Sequence, residues 1–342
     1  MSVINLGFYG LTLQFAPSEL AYYGTATAFP QTKGDLAAAT VGNYALFGGG
    51  WSSTISGYSA AVYAYDTSLT RTTPTALSQA RSEPAATTVG DYALFAGGYI
   101  YSNGYQAIVD AYDTSLTRTT PTALSQARNS HAATTVGDYA LFGSGRYGNI
   151  HVNSAVDAYD TSLTRTIPTA FSKTNEAYAA STVGNYAIFS GGSSSITYAY
   201  SENLTQTIVE QLSTYVENLA ATAVGDYALF GGGKKSTTPH ADVYAYNTSL
   251  TRTTPTQLSQ ARAYLAATAV GDYALFGGGQ KPNNGYYSIV DAYDANLTRT
   301  TPTELSEERG YLAATAVGDY ALFGGGENRT SGIRPTVDVY TA

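Results

Sequence analysis

The stretch Ala266–Gly279, AATAVGDYALFGGG, decides the fold, because it recurs letter for letter at Ala220–Gly233 and Ala313–Gly326. Looser copies surround Gly42, Gly90, Gly137 and Gly184, which with Gly225, Gly271 and Gly318 make seven units. A period of roughly 40 to 50 residues marks a propeller or a solenoid, since one such unit cannot bury its apolar face alone. Within the unit, Ala266–Val270 and Tyr273–Gly277 are short apolar runs joined by Gly271-Asp272. A tight hairpin turn needs positive φ, which glycine adopts without steric cost, so these runs read as antiparallel strands a and b. Both faces of strand b are apolar, Tyr273 and Leu275 one way, Ala274 and Phe276 the other. That pattern belongs to a strand covered on both sides.

A third run, Val290–Asp294, has counterparts at Val109–Asp113 and Val156–Asp160; a polar turn such as Thr114–Thr119 follows, then a fourth run such as Pro121–Leu124. The Asp that closes strand c (Asp66, Asp113, Asp160, Asp294) is followed by Thr and Ser or by Ala and Asn, which suits a side-chain-to-backbone turn better than a metal site. From the strand-c tyrosine to the next hairpin glycine is 25 residues in every case, whereas the strand-b Phe to that tyrosine varies from 11 to 18. Variation is therefore concentrated in the b–c loop, and secondarily in the d–a loop. In an antiparallel blade both emerge on one face, so one face is monotonous and the other diversified. The expected fold is all-β, a seven-bladed β-propeller of four-stranded antiparallel blades closed by an N-terminal strand. The last unit stops after strand c, and Gly24–Phe29 aligns with Thr72–Leu77 as the missing fourth strand, removing an exposed edge. Residues 17–342 form the propeller on this reading. Residues 1–16 are an arm outside the repeat, in which Leu11, Leu13 and Phe15 alternate with Thr12 and Gln14 as in a strand. The arm is expected to attach to an assembly partner.

Composition agrees with a large β core: 44% hydrophobic and 12% charged residues, 35 Gly, 31 Tyr and one Met in 342 residues. A net charge of −8 gives no electrostatic reason to approach nucleic acid. With no Cys there is no disulfide or thiolate chemistry, and no cofactor is expected. The opening MSVINLGFYGLTLQF shows neither the basic start nor the long apolar run of a secretory signal, and no window suggests membrane insertion.

At Arg128-Asn129-Ser130-His131-Ala132-Ala133, followed by Gly137-Asp138-Tyr139 and Phe142-Gly143, the unit resembles the kelch repeat. The glycine pair after strand b (Gly49-Gly50, Gly97-Gly98, Gly278-Gly279 and others) keeps the same register, broken by Ser144 in the third unit. One departure is systematic: Thr72, Thr119, Thr166, Thr207, Thr253 and Thr300 stand where kelch repeats carry tryptophan. The resemblance implies a propeller that binds partners through one face, while the family's functions are diverse. Its copper-oxidase type needs a cysteine this chain lacks. Its sugar-isomerising type, similar to sialic acid mutarotases, needs an acid and a base at the channel mouth. Glu83, His131, Glu176 and Glu308 are the candidates, with no spacing that singles out a pair.

Lys33, Arg81, Arg128, Arg262 and Arg309 place a cation at the end of strand d in five of the seven units. Functionally these channel-mouth cations would meet an anion; structurally they would bond carbonyls or turn residues between blades. A second set, Arg71, Arg118, Arg165, Arg252 and Arg299, is expected on the constant face as architecture or solvated charge. His131, His151 and His240 are the only histidines and no two share a metal-ligand spacing, so no metal is expected. The variable loops carry Trp51, Tyr58, Tyr99, Tyr101, Tyr105, Arg146, Tyr147, His151, Tyr286 and Tyr287 among Ser, Asn and Gly. That mixture makes adaptable binding surfaces, although several tyrosines also suit a role covering the loops themselves. The reading is a non-catalytic module recognising a glycan or protein ligand on the variable face, on a virion or cell surface; the alternative is a sugar-modifying enzyme of the mutarotase kind.

Overall fold

The computed structural model describes residues 3–5, 12–14, 19–55, 57–148, 152–173, 178–328 and 332–342. Each unit becomes a sheet in the order a-b-c-d: in blade 6, Ala266–Val270 pairs with Tyr273–Gly277, that with Val290–Asp294, and that with Arg299–Thr300, all antiparallel. Seven four-stranded sheets of this kind stand in a ring with strands a side by side around a central channel. The protein is a seven-bladed β-propeller.

Strand d lies earlier than the sequence suggests. It is Arg118–Thr119 that pairs with Tyr112 and Ala111, not Pro121–Leu124. Pro121 has no N–H to offer the ladder, and the segment after it carries Leu124 into the core. In blade 7 the same shift makes the closing strand Ala21–Ala26, paired with Val337–Thr341 across a bulge between Tyr22 and Gly24. Phe29 then occupies the seam between blades 7 and 1 with Phe47, Tyr65 and Val339. In the arm, Thr12–Gln14 pairs with Val3–Asn5, so that strand finds its partner locally.

Every seam uses the same pair. The strand-c tyrosine is fully buried and meets the strand-b Phe edge-on, 5.9 Å between ring centres for Phe95–Tyr112 and Phe142–Tyr159. Its hydroxyl crosses to the previous blade, Tyr112 donating to Thr75 O at 2.7 Å and Tyr159 to Thr122 O at 2.8 Å. A buried phenol needs such an acceptor. This pair fills the seams, while the threonines at the kelch tryptophan position stay exposed. The Asp ending strand c builds a turn: Ser68 N and Thr70 N each donate to Asp66 Oδ1 at 2.9 Å. The Ser68 hydroxyl bond holds that carboxyl below its ordinary value. At the start of the b–c loop, Gly98 has φ 114°, and a Cβ there would lie 2.7 Å from Ser82 O, so this glycine permits close approach of the preceding d–a loop.

Removing residues 1–26 bares the edge of Val337–Thr341 and takes five paired residues from blade 7. The melting temperature of that truncation falls by roughly 10 °C or more in calorimetry, whereas removing 1–16 changes it by only a few degrees.

Candidate functional site

The five candidate channel-mouth cations have no exposed surface. Four reach the first Asp of strand c: Arg81–Asp110 at 2.9 Å, Arg128–Asp157 at 2.7 Å, Arg262–Asp291 at 2.8 Å, and Arg309–Asp338. Each also donates to the strand-b Phe carbonyl, as Arg128 does to Phe142 O at 3.0 Å. Three of the second arginine set meet the same carboxylates from outside, Arg118 to Asp110 at 3.1 Å, Arg165 to Asp157 at 3.7 Å and Arg299 to Asp291 at 2.7 Å, while Arg252 pairs with Glu210 at 2.7 Å and Arg71 lies over the Tyr63 ring. Backbone N–H groups of Ser78 and Ser125 complete the shell at 3.0 and 2.9 Å from Asp110 and Asp157. Where strand c carries Tyr instead of Asp, the cation changes too. Lys33 lies 4.8 Å above the Tyr63 ring and donates to Gly49 O at 2.9 Å, burial lowering its pKa to about 7. Opposite Tyr244 the equivalent residue is Val216, packed in the same cluster.

Two residues beyond that position the chain turns through left-handed backbone in every described blade: Asp35 (φ 53°), Glu83 (52°), Ser130 (49°), Asn218 (56°), Tyr264 (55°) and Tyr311 (55°). The seventh equivalent, Ala177, lies outside the described residues. None of the six is glycine, and left-handed backbone costs an L-residue roughly 1–2 kcal/mol; such strain persists only where the surroundings enforce it. Here they do. Glu83 N donates to Asp35 O at 2.8 Å, Asp35 N to Tyr311 O at 3.3 Å, Tyr311 N to Tyr264 O at 3.0 Å and Tyr264 N to Asn218 O at 3.1 Å, forming a hydrogen-bonded staircase over five blades. The residue just before each is bridged to the start of a b–c loop, as in Gly34↔Trp51, Ser82↔Tyr99 and Asn129↔Arg146. The six strained residues all line one bowl of about 600 Å³ over the channel mouth.

The bowl is unevenly charged. Asp35 is raised to about 7, by burial first and then by repulsion from Glu83 and Glu327. Glu83 accepts from Asn129 Nδ2 at 2.9 Å and Ser130 Oγ at 2.6 Å. In the adjoining sector Tyr264 and Tyr311 stack at 4.2 Å between centres and 23° between planes, with Lys234 Nζ 4.8 Å from the Tyr264 ring. Arg146 and Glu217 complete the charged lining. His131, 8% exposed, is pushed well below its ordinary pKa by burial first and then by the Arg128 charge.

Of the described loop residues singled out in the sequence, only Arg146 lines the bowl. Tyr58, Tyr105 and Tyr286 tie neighbouring loops together: Tyr101 N donates to the Tyr58 hydroxyl at 2.9 Å, Tyr105 donates to Gly148 O at 3.0 Å, and Tyr286 donates to Glu327. Tyr99 packs edge-on against Tyr105, and Tyr287 lies under Lys281. Trp51, Tyr101 and Tyr147 stand out to solvent at 37%, 84% and 40% exposure. Among the acid and base candidates Glu83 and His131 are in the bowl, while Glu308 pairs with Lys281 at 2.8 Å. His151 and Glu176 lie outside the described residues. Asp35, Asn218, Tyr264 and Tyr311 were not foreseen, although they stand in the d–a loop, whose sequence varies from unit to unit. Among the described residues no group of three His, Asp or Glu is placed to hold a metal ion.

No family profile matches the chain, and no curated protein matches it. Among solved structures it is similar to that of YjhT, with a TM-score of 0.64 and 14% identity, over 81% of this chain and 99% of that one. At that identity the likeness concerns the fold.

Two variants test this electrostatic account. Asp157→Ala strands the buried Arg128 charge and costs about 3–5 kcal/mol in urea denaturation. Asp35 has a folded pKa above its unfolded one, so its contribution to stability is greatest in acid and is lost as pH rises through about 7. Asp35→Asn therefore stabilises the chain more at pH 8 than at pH 5, by about 1–2 kcal/mol after discounting for solvent screening.

Proposed function

We propose that the chain is a kelch-like propeller acting as a non-catalytic recognition module, which binds a glycan in the bowl and over the surrounding b–c loops. The observation that carries this reading is the ring of left-handed positions. A repeated scaffold holds residues of differing chemistry, Asp35, Glu83, Ser130, Asn218, Tyr264 and Tyr311, in the same strained backbone around one cavity. The cavity's size suits a small ligand. Stacked Tyr264 and Tyr311 offer an apolar wall for the C–H face of a sugar ring, and the amide and hydroxyl groups beside them suit its hydroxyls. Trp51, Tyr101 and Tyr147 extend the contact surface onto the rim. Display on a virion or cell surface fits the Thr- and Tyr-rich composition.

One observation favours a second reading, a sugar-modifying enzyme of the mutarotase kind. Asp35, near neutrality beside Glu83, has a pKa suited to proton exchange with a sugar hydroxyl. Accelerated anomer exchange of a reducing sugar, lost in Asp35→Asn, would establish it.

Glycan-array binding by the purified chain tests the module. Tyr311→Ala and Trp51→Ala each weaken the array-identified ligand by about tenfold or more, while Thr72→Ala on the constant face leaves binding unchanged. Loss of binding in Thr72→Ala alone would move the site to the other face.

A further inference from the structure

The bowl's asymmetry narrows the ligand. Three carboxylates, Asp35, Glu83 and Glu217, and two cations, Arg146 and Lys234, line it; Glu217 and Lys234 are bridged side by side, whereas Asp35 follows Tyr311 in the staircase and Glu83 follows Asp35. Glu327, which takes the Tyr286 hydroxyl, adds a further negative charge close to Asp35. Lys234 is drawn over Tyr264, at the far end of the tyrosine pair in blade order from Asp35. Among the described residues no cation is paired with Asp35: the buried Lys33 two residues earlier points its ammonium to the carbonyls of Gly49 and Ala61. Resting on the recognition reading above, we propose that the saccharide bound in the bowl carries a free primary amine, an amino sugar whose ammonium meets Asp35 and Glu83 while its ring lies on Tyr311.

Three features support this class over a neutral or acidic sugar. An ammonium relieves the mutual repulsion of Asp35 with Glu83 and Glu327, which a hydroxyl cannot do and a carboxylate would worsen. A charge-assisted hydrogen bond in a half-buried site is about twice as strong as a neutral one. The chain's net charge of −8 further favours a cationic ligand.

Calorimetric titration at neutral pH separates the cases, using β-1,4-linked tetramers of glucosamine, N-acetylglucosamine and glucose against the full chain. The free amine is expected to bind at least about tenfold more tightly than the other two. In Asp35→Asn/Glu83→Gln that preference falls to about onefold, while Tyr311→Ala weakens all three tetramers together. Equal binding of the acetylated or neutral tetramer to the native chain, an unchanged preference in the double variant, or equally good displacement by tetralysine overturns the amino-sugar assignment. Failure of all three tetramers overturns it as well, and the glycan array then decides the recognition reading separately. Thermal unfolding of each variant shows whether a loss reflects the site, and Asp35→Asn is expected to stabilise the fold.

Discussion

A ring of blades closes only if each blade turns the chain by the same amount, and everything regular in this sequence answers to that constraint. The pitch is set at the seams, where a buried Phe–Tyr pair fills the wedge between sheets and the tyrosine hydroxyl reaches back to a carbonyl of the previous blade. A methylene too many at one seam would be repeated as strain around the circle, because interiors pack like solids. This is why strands a, b and c hardly vary, and why the same tyrosine recurs at Tyr65, Tyr112, Tyr159, Tyr200, Tyr246, Tyr293 and Tyr340.

Rigidity at the seams frees the loops above them. A d–a loop fastened on one side to the next b–c loop and on the other to the neighbouring d–a loop can hold an unfavourable backbone conformation whatever its side chain. Changing Asp to Tyr there alters what the bowl presents without altering how blades pack. Buried ion clusters serve the scaffold instead. Arg128 and Asp157 are valuable to each other mainly because either one alone would be a charge stranded without water.

Much of this was open to reading from residues. The Gly-Asp hairpin, the period and the missing fourth strand all point to a closed ring. The paired changes were also legible: Arg81, Arg128, Arg262 and Arg309 occur with Asp110, Asp157, Asp291 and Asp338, whereas Lys33 and Val216 occur with Tyr63 and Tyr244. That pairing shows which of the buried cations meet a carboxylate. The bowl was less accessible. Left-handed backbone at Asp35, Tyr264 or Tyr311 leaves no trace in residue type, since glycine or asparagine is the usual occupant and tyrosine is not. The loop aromatics misled in the other direction. Composition cannot distinguish Tyr101, which faces solvent, from Tyr58, whose hydroxyl is taken by the neighbouring loop.

The bulged closing strand has a consequence for how the chain counts. Blades 5, 6 and 7 share an identical a–b hairpin, so within that run any blade could accept another's neighbour, and near-identical repeats are prone to such exchange during folding. Only the last blade lacks its own fourth strand, and the segment that supplies it, Ala21–Ala26, carries a register shift and two tyrosines that pack on Tyr340 and Tyr320. A ring that closed one blade early would offer this segment a strand c already paired with its own Arg-Thr strand. The seam between the two ends of the chain thus acts as a gauge of copy number, rejecting circles with too few blades.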